Sequence, residues 1–142
     1  MFLGRHNHTL DAKGRLAVPA RFRERLADGA VLTRGADRSL ALYPAESWRA
    51  LCDKIDQLPM GDADARLLRR FLFAEATLVE FDSQGRVLIP AVLRSFAGID
   101  RAVVVLGVNR SIEVWAADSW ERLSTSVEAN ADGVFARLAS LI

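Results

Sequence analysis

The chain has one cysteine, Cys52, and therefore no internal disulfide, which agrees with a reducing compartment. Its two histidines, His6 and His8, both lie near the N-terminus, leaving none for a separate serine or cysteine nucleophile. No apolar run approaches the roughly 20 residues needed to cross a bilayer. Nor does the N-terminus show the charged, apolar and small-residue succession of a secretory signal. These absences point to the cytoplasm, with no membrane partner. A Gly-x-Ser-x-Gly elbow, a Walker-type loop and a Gly-x-Gly-x-x-Gly turn are missing as well. The sequence therefore reads as a non-enzyme, with no cofactor and no small-molecule substrate.

Charge of one sign is also scarce overall: the net charge is +1 over 142 residues, so the chain is no polycation. Its distribution is uneven. Arg5, Lys13, Arg15, Arg21, Arg23 and Arg25 face only Asp11 and Glu24 in the first stretch, whereas Glu113, Asp118, Glu121, Glu128 and Asp132 outnumber Arg122 and Arg137 in the last. A basic front and an acidic tail suit one face that seeks an anionic partner; the same counts also fit an ordinary solvated surface. With 51% apolar residues, the chain can bury a core, and its length fits one domain.

What the chain does have is a repeat. Asp11-Ala-Lys-Gly-Arg15, continuing to Pro19, returns seventy-one residues later as Asp82-Ser-Gln-Gly-Arg86, continuing to Pro90. Asp at the head of a tight turn can accept from amides two or more residues on, and Gly14 and Gly85 can take the positive φ such a turn needs. Each Arg then begins a strand that ends where Pro removes an amide donor and opens a helix. With one residue inserted the likeness runs on: Ala30–Gly35 matches Ala102–Gly107, Arg38–Tyr43 matches Arg110–Trp115, and Ala45–Leu51 matches Ala117–Leu123. Two copies are too few for a solenoid. They suit one pseudo-symmetric domain spanning 1–142, with repeat one at about 5–58, a linking helix at about 62–76 and repeat two at about 77–142.

In chain order, 2–10 reads as an extended arm, 15–18 as a strand and 20–26 as a short helix. Strands follow at 30–34 and 40–43, and then a helix over 45–58, whose Trp48, Leu51, Cys52, Ile55 and Leu58 make one apolar stripe. Asp62 or Asp64 can cap the linking helix, which carries Leu67, Leu68, Phe71 and Leu72. Repeat two predicts strands at 77–81, 87–89, 102–106 and 112–115, a short helix at 92–96, a helix capped by Asp118 and a separate tail helix after Gly133. Trp48, Trp120 and Cys52 are assigned to the core, and Tyr43 and Trp115 to core or interface. Four short strands per half, too close for βαβ crossovers, predict an α+β fold: hairpins closing into a small barrel with helices outside, which hides strand edges.

Three chemistries compete for the polar residues. His6 and His8 on an extended arm, with Asp11, could hold a metal; no further ligand is at hand, and the reading adopted is no metal. Asp11 and Asp82 could form an acid–base pair, yet each has a sufficient task in its turn. Arg15 and Arg86 could be local partners of these aspartates, a contact worth only about 0–1 kcal/mol when exposed. They could also grip phosphate or a guanine edge, for which arginine is suited. The two arginine readings are compatible.

These residues resemble the MraZ family of bacterial transcriptional regulators, over essentially the whole chain. Carrying the resemblance are Met1–Gly4, Leu10–Pro19, Leu42-Tyr-Pro44 with Trp48, Phe81–Pro90 and Ile112–Trp115. The resemblance implies a swapped-hairpin barrel of the AbrB type with interlocked halves. It also implies ring-shaped homo-oligomers that bind double-stranded DNA at repeated G-rich promoter boxes ahead of a division and cell-wall gene cluster, and a place on the nucleoid. The family's Asp-x-x-x-Arg motif falls on Asp11 with Arg15 and on Asp82 with Arg86. On this reading Arg15, Arg86, Lys13, Arg5 and Gln84 meet DNA, while Asp11, Gly14, Asp82 and Gly85 shape the turns. Gln84 stands where the first copy has Lys13, which weakens phosphate binding there. The alternative is an AbrB-like interaction module, an antitoxin or scaffold, without specific DNA binding.

Overall fold

A computed structural model describes all 142 residues. Strand β1 (Phe2–Thr9) leads through the first turn to β2 (Arg15–Ala17) and helix α1 (Ala20–Leu26). Strands β3 (Ala30–Arg34) and β4 (Leu40–Pro44) precede α2 (Ala45–Asp56) and the linking helix α3 (Ala63–Phe73). Repeat two supplies β5 (Thr77–Leu78), β6 (Arg86–Leu88), α4 (Ala91–Ala97), β7 (Ala102–Asn109), β8 (Ile112–Ala116) and α5 (Ala117–Leu138). No helix is long and apolar enough to cross a membrane.

The strands interlock between repeats. One six-stranded sheet has the order β1-β7-β8-β4-β3-β5, and a two-stranded ribbon joins β2 to β6. All the pairings are antiparallel. The first strand of each repeat thus pairs with the third strand of the other. Two pairings cross the pseudo-two-fold itself: Leu16 lies opposite Val87 in the ribbon, and Ala41 opposite Glu113 where β4 meets β8. Positions equivalent in the two repeats sit symmetrically about these points. Leu16, Val18, Phe22 and Leu32 of one half pack with Val87, Ile89, Leu93 and Val105 of the other in one core, so neither half has a core of its own.

Several expectations change. The strand ladders do not close into a barrel: β1 and β5 remain the edges of the large sheet, and the ribbon stands apart. Each ribbon strand is cut to three residues by the turn before it and by Pro19 or Pro90 after it, too short to join the larger sheet as well. The N-terminal arm is a full edge strand, held along its whole length by β7. In contrast, the strand predicted at 77–81 keeps only Thr77 and Leu78 in ladder pairing, with one further bond from the Val79 amide to the Ala30 carbonyl.

The helices shift too. Asp62 does cap α3, accepting from the amides of Asp64 and Ala65. Asp118 does not cap α5: Ala116 holds the cap position, and Asp118 lies in the first turn. The separate tail helix does not exist either, since α5 runs unbroken through Gly133 to Leu138. On α2 only Ile55 is buried, with Trp48, Leu51 and Cys52 half-buried; Leu58, past the end of α2, and Trp120 on α5 are likewise half-buried. Leu67 and Leu68 of α3 point outward.

Candidate functional site

The ribbon brings the two turns side by side. In the first, the Asp11 carboxylate accepts from the amides of Lys13 and Arg15, each at 2.9 Å, and from Arg15 Nε at 2.7 Å. In the second, Asp82 accepts from the amides of Gln84 and Arg86 at 2.9 Å and from Arg86 Nε at 2.8 Å. The bonding scheme is the same residue for residue. A third ion pair ties the repeats together, since Arg86 also reaches the Asp11 carboxylate at 3.4 Å. Backbone bonds do the same: Ile89 donates to the Gly14 carbonyl and Val18 to the Gly85 carbonyl.

These contacts fix the charge states. Asp11 is held down at about 2, chiefly by the hydrogen bond from the Arg15 amide, with the Arg15 side chain and the Lys13 amide adding to it. Asp82 is lowered for the same leading reason, the amide of Arg86. Both carboxylates are therefore ionised at neutral pH and serve as fixed acceptors. The acid–base pairing considered above finds no support in groups so firmly held in the ionised state.

Gly14 and Gly85 have φ of 81° and 76°, where a side chain is strained. They also make room for a neighbour. A Cβ on Gly14 would overlap the guanidinium of Arg94, and one on Gly85 would overlap that of Arg23. Arg94 belongs to α4 and Arg23 to α1, so each turn is covered by an arginine from the other repeat's helix. Both lie four residues after the proline that opens the helix, at the repeat offset of seventy-one. The sequence alignment of the repeats runs to the proline and resumes at Ala30 and Ala102, leaving out the short helix between, so this pair was missed; extending the alignment four residues past the proline would have found it.

The result is a composite surface with five cations, Lys13, Arg15, Arg23, Arg86 and Arg94, around two carboxylates. Arg15 and Arg86 each spend Nε on their own aspartate and keep about a quarter of the side chain accessible. Lys13 and Gln84 are exposed at the turn tips. Arg5 is not part of this group: it sits on β1 opposite Leu106 and lines a cleft of about 500 Å³ with Trp120 and Glu121. His6 is turned inward, edge-on to Phe22 at 5.2 Å, and no three His, Cys, Asp or Glu side chains gather as a metal site. Partial burial of His8, with His6 close by, lowers its pKa.

A chemically sensible ligand for this surface is an extended anion. Ion-paired guanidinium groups held by fixed carboxylates can donate their remaining N–H groups to phosphate oxygens or to a base edge without first being ordered.

A family model described as "MraZ protein, putative antitoxin-like" matches the chain twice, over residues 1–71 and 72–141. Curated relatives named "Transcriptional regulator MraZ" match over nearly the full length of both chains. The one from Thermomicrobium roseum is 50% identical over 142 residues, covering 100% of each chain. Those from Alkaliphilus metalliredigens and Roseiflexus castenholzii are 43% and 44% identical over 141 residues, covering 99% of each chain. With the family's pattern present in both halves and full-length relatives 43–50% identical, the chain belongs to the MraZ family.

Proposed function

We propose that the protein is a sequence-specific DNA-binding transcriptional regulator whose reading head is the pair of turns joined by the β2–β6 ribbon. The observation that carries this is the duplicated Asp–Arg geometry, which places Arg15 and Arg86 on one surface with Lys13 and Gln84 at its tips. The relatives' name as transcriptional regulators supports the same reading. Arg15 and Arg86 contact a guanine edge or clamp phosphate, and Lys13 neutralises backbone. Gln84 offers hydrogen bonds without charge, so the second turn holds phosphate less strongly. Arg5, away from the turns, has at most a distant backbone contact.

A +1 chain cannot hold DNA tightly by charge alone, because non-specific affinity follows the number of phosphates neutralised. The family's ring of protomers, set against repeated promoter boxes of a division and cell-wall cluster, supplies the missing affinity. Several weak heads acting together gain about 10²–10⁴ in avidity. A nucleoid location and a swapped-hairpin origin for the interlocked strands belong to this reading. A second reading, an interaction module without specific DNA binding, draws on the family's antitoxin-like description.

Gel-shift titration with the DNA upstream of the protein's own gene separates the two. A specific shift that weakens steeply with salt, and that Arg15→Ala abolishes while the fold survives, is the expected result. Salt-insensitive or absent binding, together with capture of an acidic protein, supports the interaction module instead.

A further inference from the structure

The β3–β4 turn and its counterpart in repeat two, the β7–β8 turn, each carry an arginine toward helices of the other repeat. Arg38 and Arg110 hold these equivalent places, seventy-two residues apart. The surroundings of Arg38 are filled. Its guanidinium rests over the Phe96 ring at 5.1 Å, and Phe96 packs edge-on to Phe71 at 5.7 Å. Asp37 and Arg38 line two separate small clefts there, of about 480 and 360 Å³. On the other side of the pseudo-two-fold the residue equivalent to Phe96 is Arg25. Arg110 therefore has no ring to rest on, and a single cleft of about 710 Å³ stays open beside it.

Three guanidinium groups surround this cleft on three different elements: Arg25 on α1, Arg49 on α2 and Arg110 in the turn. All three are exposed, and none lies within 4 Å of a carboxylate. Arg25 touches only the Phe2 ring, at 5.6 Å. Asp28 and Glu46 line the cleft too, and neither forms an ion pair. In repeat two the equivalent of Glu46, Asp118, does pair, with Arg122 at 3.8 Å. Position 49 is Arg where position 121 is Glu. Repeat one thus has cations at the two places where repeat two has a ring and an acid. The turn itself is fixed, since Ser47 Oγ donates to the Arg110 carbonyl at 2.8 Å. The Arg110 backbone is anchored while its side chain keeps all its donors.

We infer that this cleft binds a small anion with at least two phosphoryl groups. Guanidinium forks take phosphate oxygens in pairs, and three forks on separate elements suit an anion that offers several such oxygens. Asp28 and Glu46 offset much of the charge, so a simple ion gains little there. An anion with several charges and acceptors gains from every fork. The volume lies within the range of small-ligand sites. The cleft sits at the Phe2 end of β1, whereas the Asp11 turn follows the other end. Eight residues of strand separate them by roughly 23 Å, so DNA seated on the turns does not fill the cleft. The site is independent of the function proposed above.

The experiment is calorimetric titration of the full chain with pyrophosphate, in a phosphate-free buffer at fixed ionic strength, with thermal melts as the check on folding. The parent is expected to bind, and Arg110→Ala to bind at least about tenfold more weakly. Arg25→Phe, which installs the residue of repeat two, should weaken binding as much, because Arg110 then gains the ring that Arg38 already has. Arg110→Gln and Arg25→Ala replace either variant if it loses its cooperative melt. The double variant Arg15→Ala/Arg86→Ala should bind pyrophosphate like the parent. A parent that does not bind overturns the inference, as do cleft variants that bind like the parent. Sulfate bound as tightly at the same ionic strength would show a general attraction for anions, and overturns it equally. Loss of pyrophosphate binding in the double variant would place the anion on the turns. Loss of DNA binding in the cleft variants would make the cleft part of the DNA surface. Either result also overturns it.

Discussion

The two repeats agree closely where the turns lie and diverge where the helices leave the sheet. Asp11 and Asp82 make the same three hydrogen bonds to their own turns at distances within 0.1 Å of each other. Gly14 and Gly85 share the same positive-φ conformation, and Arg94 and Arg23 cover them reciprocally. Elsewhere the halves part. β1 has eight residues where β5 has two, and α5 is one helix of 22 residues where repeat one has α2, a break and α3. A duplicated sequence free to drift has held one local geometry twice over and let the packaging around it change. Structural need accounts for part of this, since the ribbon lies over the core. It does not by itself account for two half-buried arginines that each spend Nε on a carboxylate and keep about a quarter of the side chain accessible at the rim. What is kept in both halves is the apparatus for presenting Arg15 and Arg86.

The comparison can be broken first at its buried side. Val18 and Ile89 are equivalent core positions on the two sides of the ribbon, 4% and 0% exposed. Because both repeats contribute to one core, Ile89→Ala should cost about 2–5 kcal/mol and Val18→Ala a little less, with a single cooperative urea transition in each case. Two separate transitions would show repeats that fold independently. A smaller effect is expected at the glycines. Ala at Gly14 or Gly85 must take a positive φ and push aside a flexible guanidinium, at a cost of about 1–3 kcal/mol. The two variants should lower the melting temperature by similar amounts if the turns are equivalent; a large difference would show that one turn carries strain the other lacks.

The tip residues offer the sharpest contrast. Exchanging them in separate variants, Lys13→Gln should lower the salt slope of DNA binding by about one phosphate per engaged protomer, and Gln84→Lys should raise it by a similar amount. Unchanged slopes in both would remove the tips from the interface. The smallest expected effect is on acid stability. Asp11 has its folded pKa depressed to about 2 from the ordinary 3.8, so its contribution is fully present above the unfolded value and is lost as pH falls from about 3.8 through about 2. Asp82 is shifted in the same direction. Urea midpoints measured down this range should fall less steeply for Asp11→Asn than for the parent, and a parallel fall would contradict the assignment.

Much of this was legible in the chain. The Asp-x-x-Gly-Arg repeat alone indicated both turns, the strand after each and the proline stop, because those outcomes depend on local backbone chemistry. Helix α1 falls on its predicted residues, and of the two aspartates the sequence offered as the α3 cap, Asp62 holds it. What was not legible depends on partners distant in sequence. That β1 would be a full strand follows from its pairing with β7, a hundred residues away. The outward turn of Leu67 and Leu68 could not be told from a buried stripe, since periodicity gives a face but not what covers it. Gly133 was read as a break because glycine weakens helices, yet the loss of about 1 kcal/mol is too small to stop one that is otherwise well formed. In the site, the residues on the turns, the amide bonds to each aspartate and its pairing with its own arginine were legible; the reach of Arg86 across to Asp11 was not. Arg23 and Arg94 escaped because each acts on the turn of the opposite repeat.

The central claim is that the two turns form one reading head. The most direct measurement is a double-mutant cycle of DNA affinity, titrating the parent, Arg15→Ala, Arg86→Ala and the double variant against one promoter fragment at fixed salt, with folding and assembly checked for each. The account predicts that each single change weakens binding at least about tenfold, equivalent to about 1.4 kcal/mol. It further predicts that the double variant loses less than the product of the two, since arginines linked through Asp11 contact the DNA as a unit. Single variants that bind like the parent would contradict it, and would leave both arginines as structural partners of their aspartates.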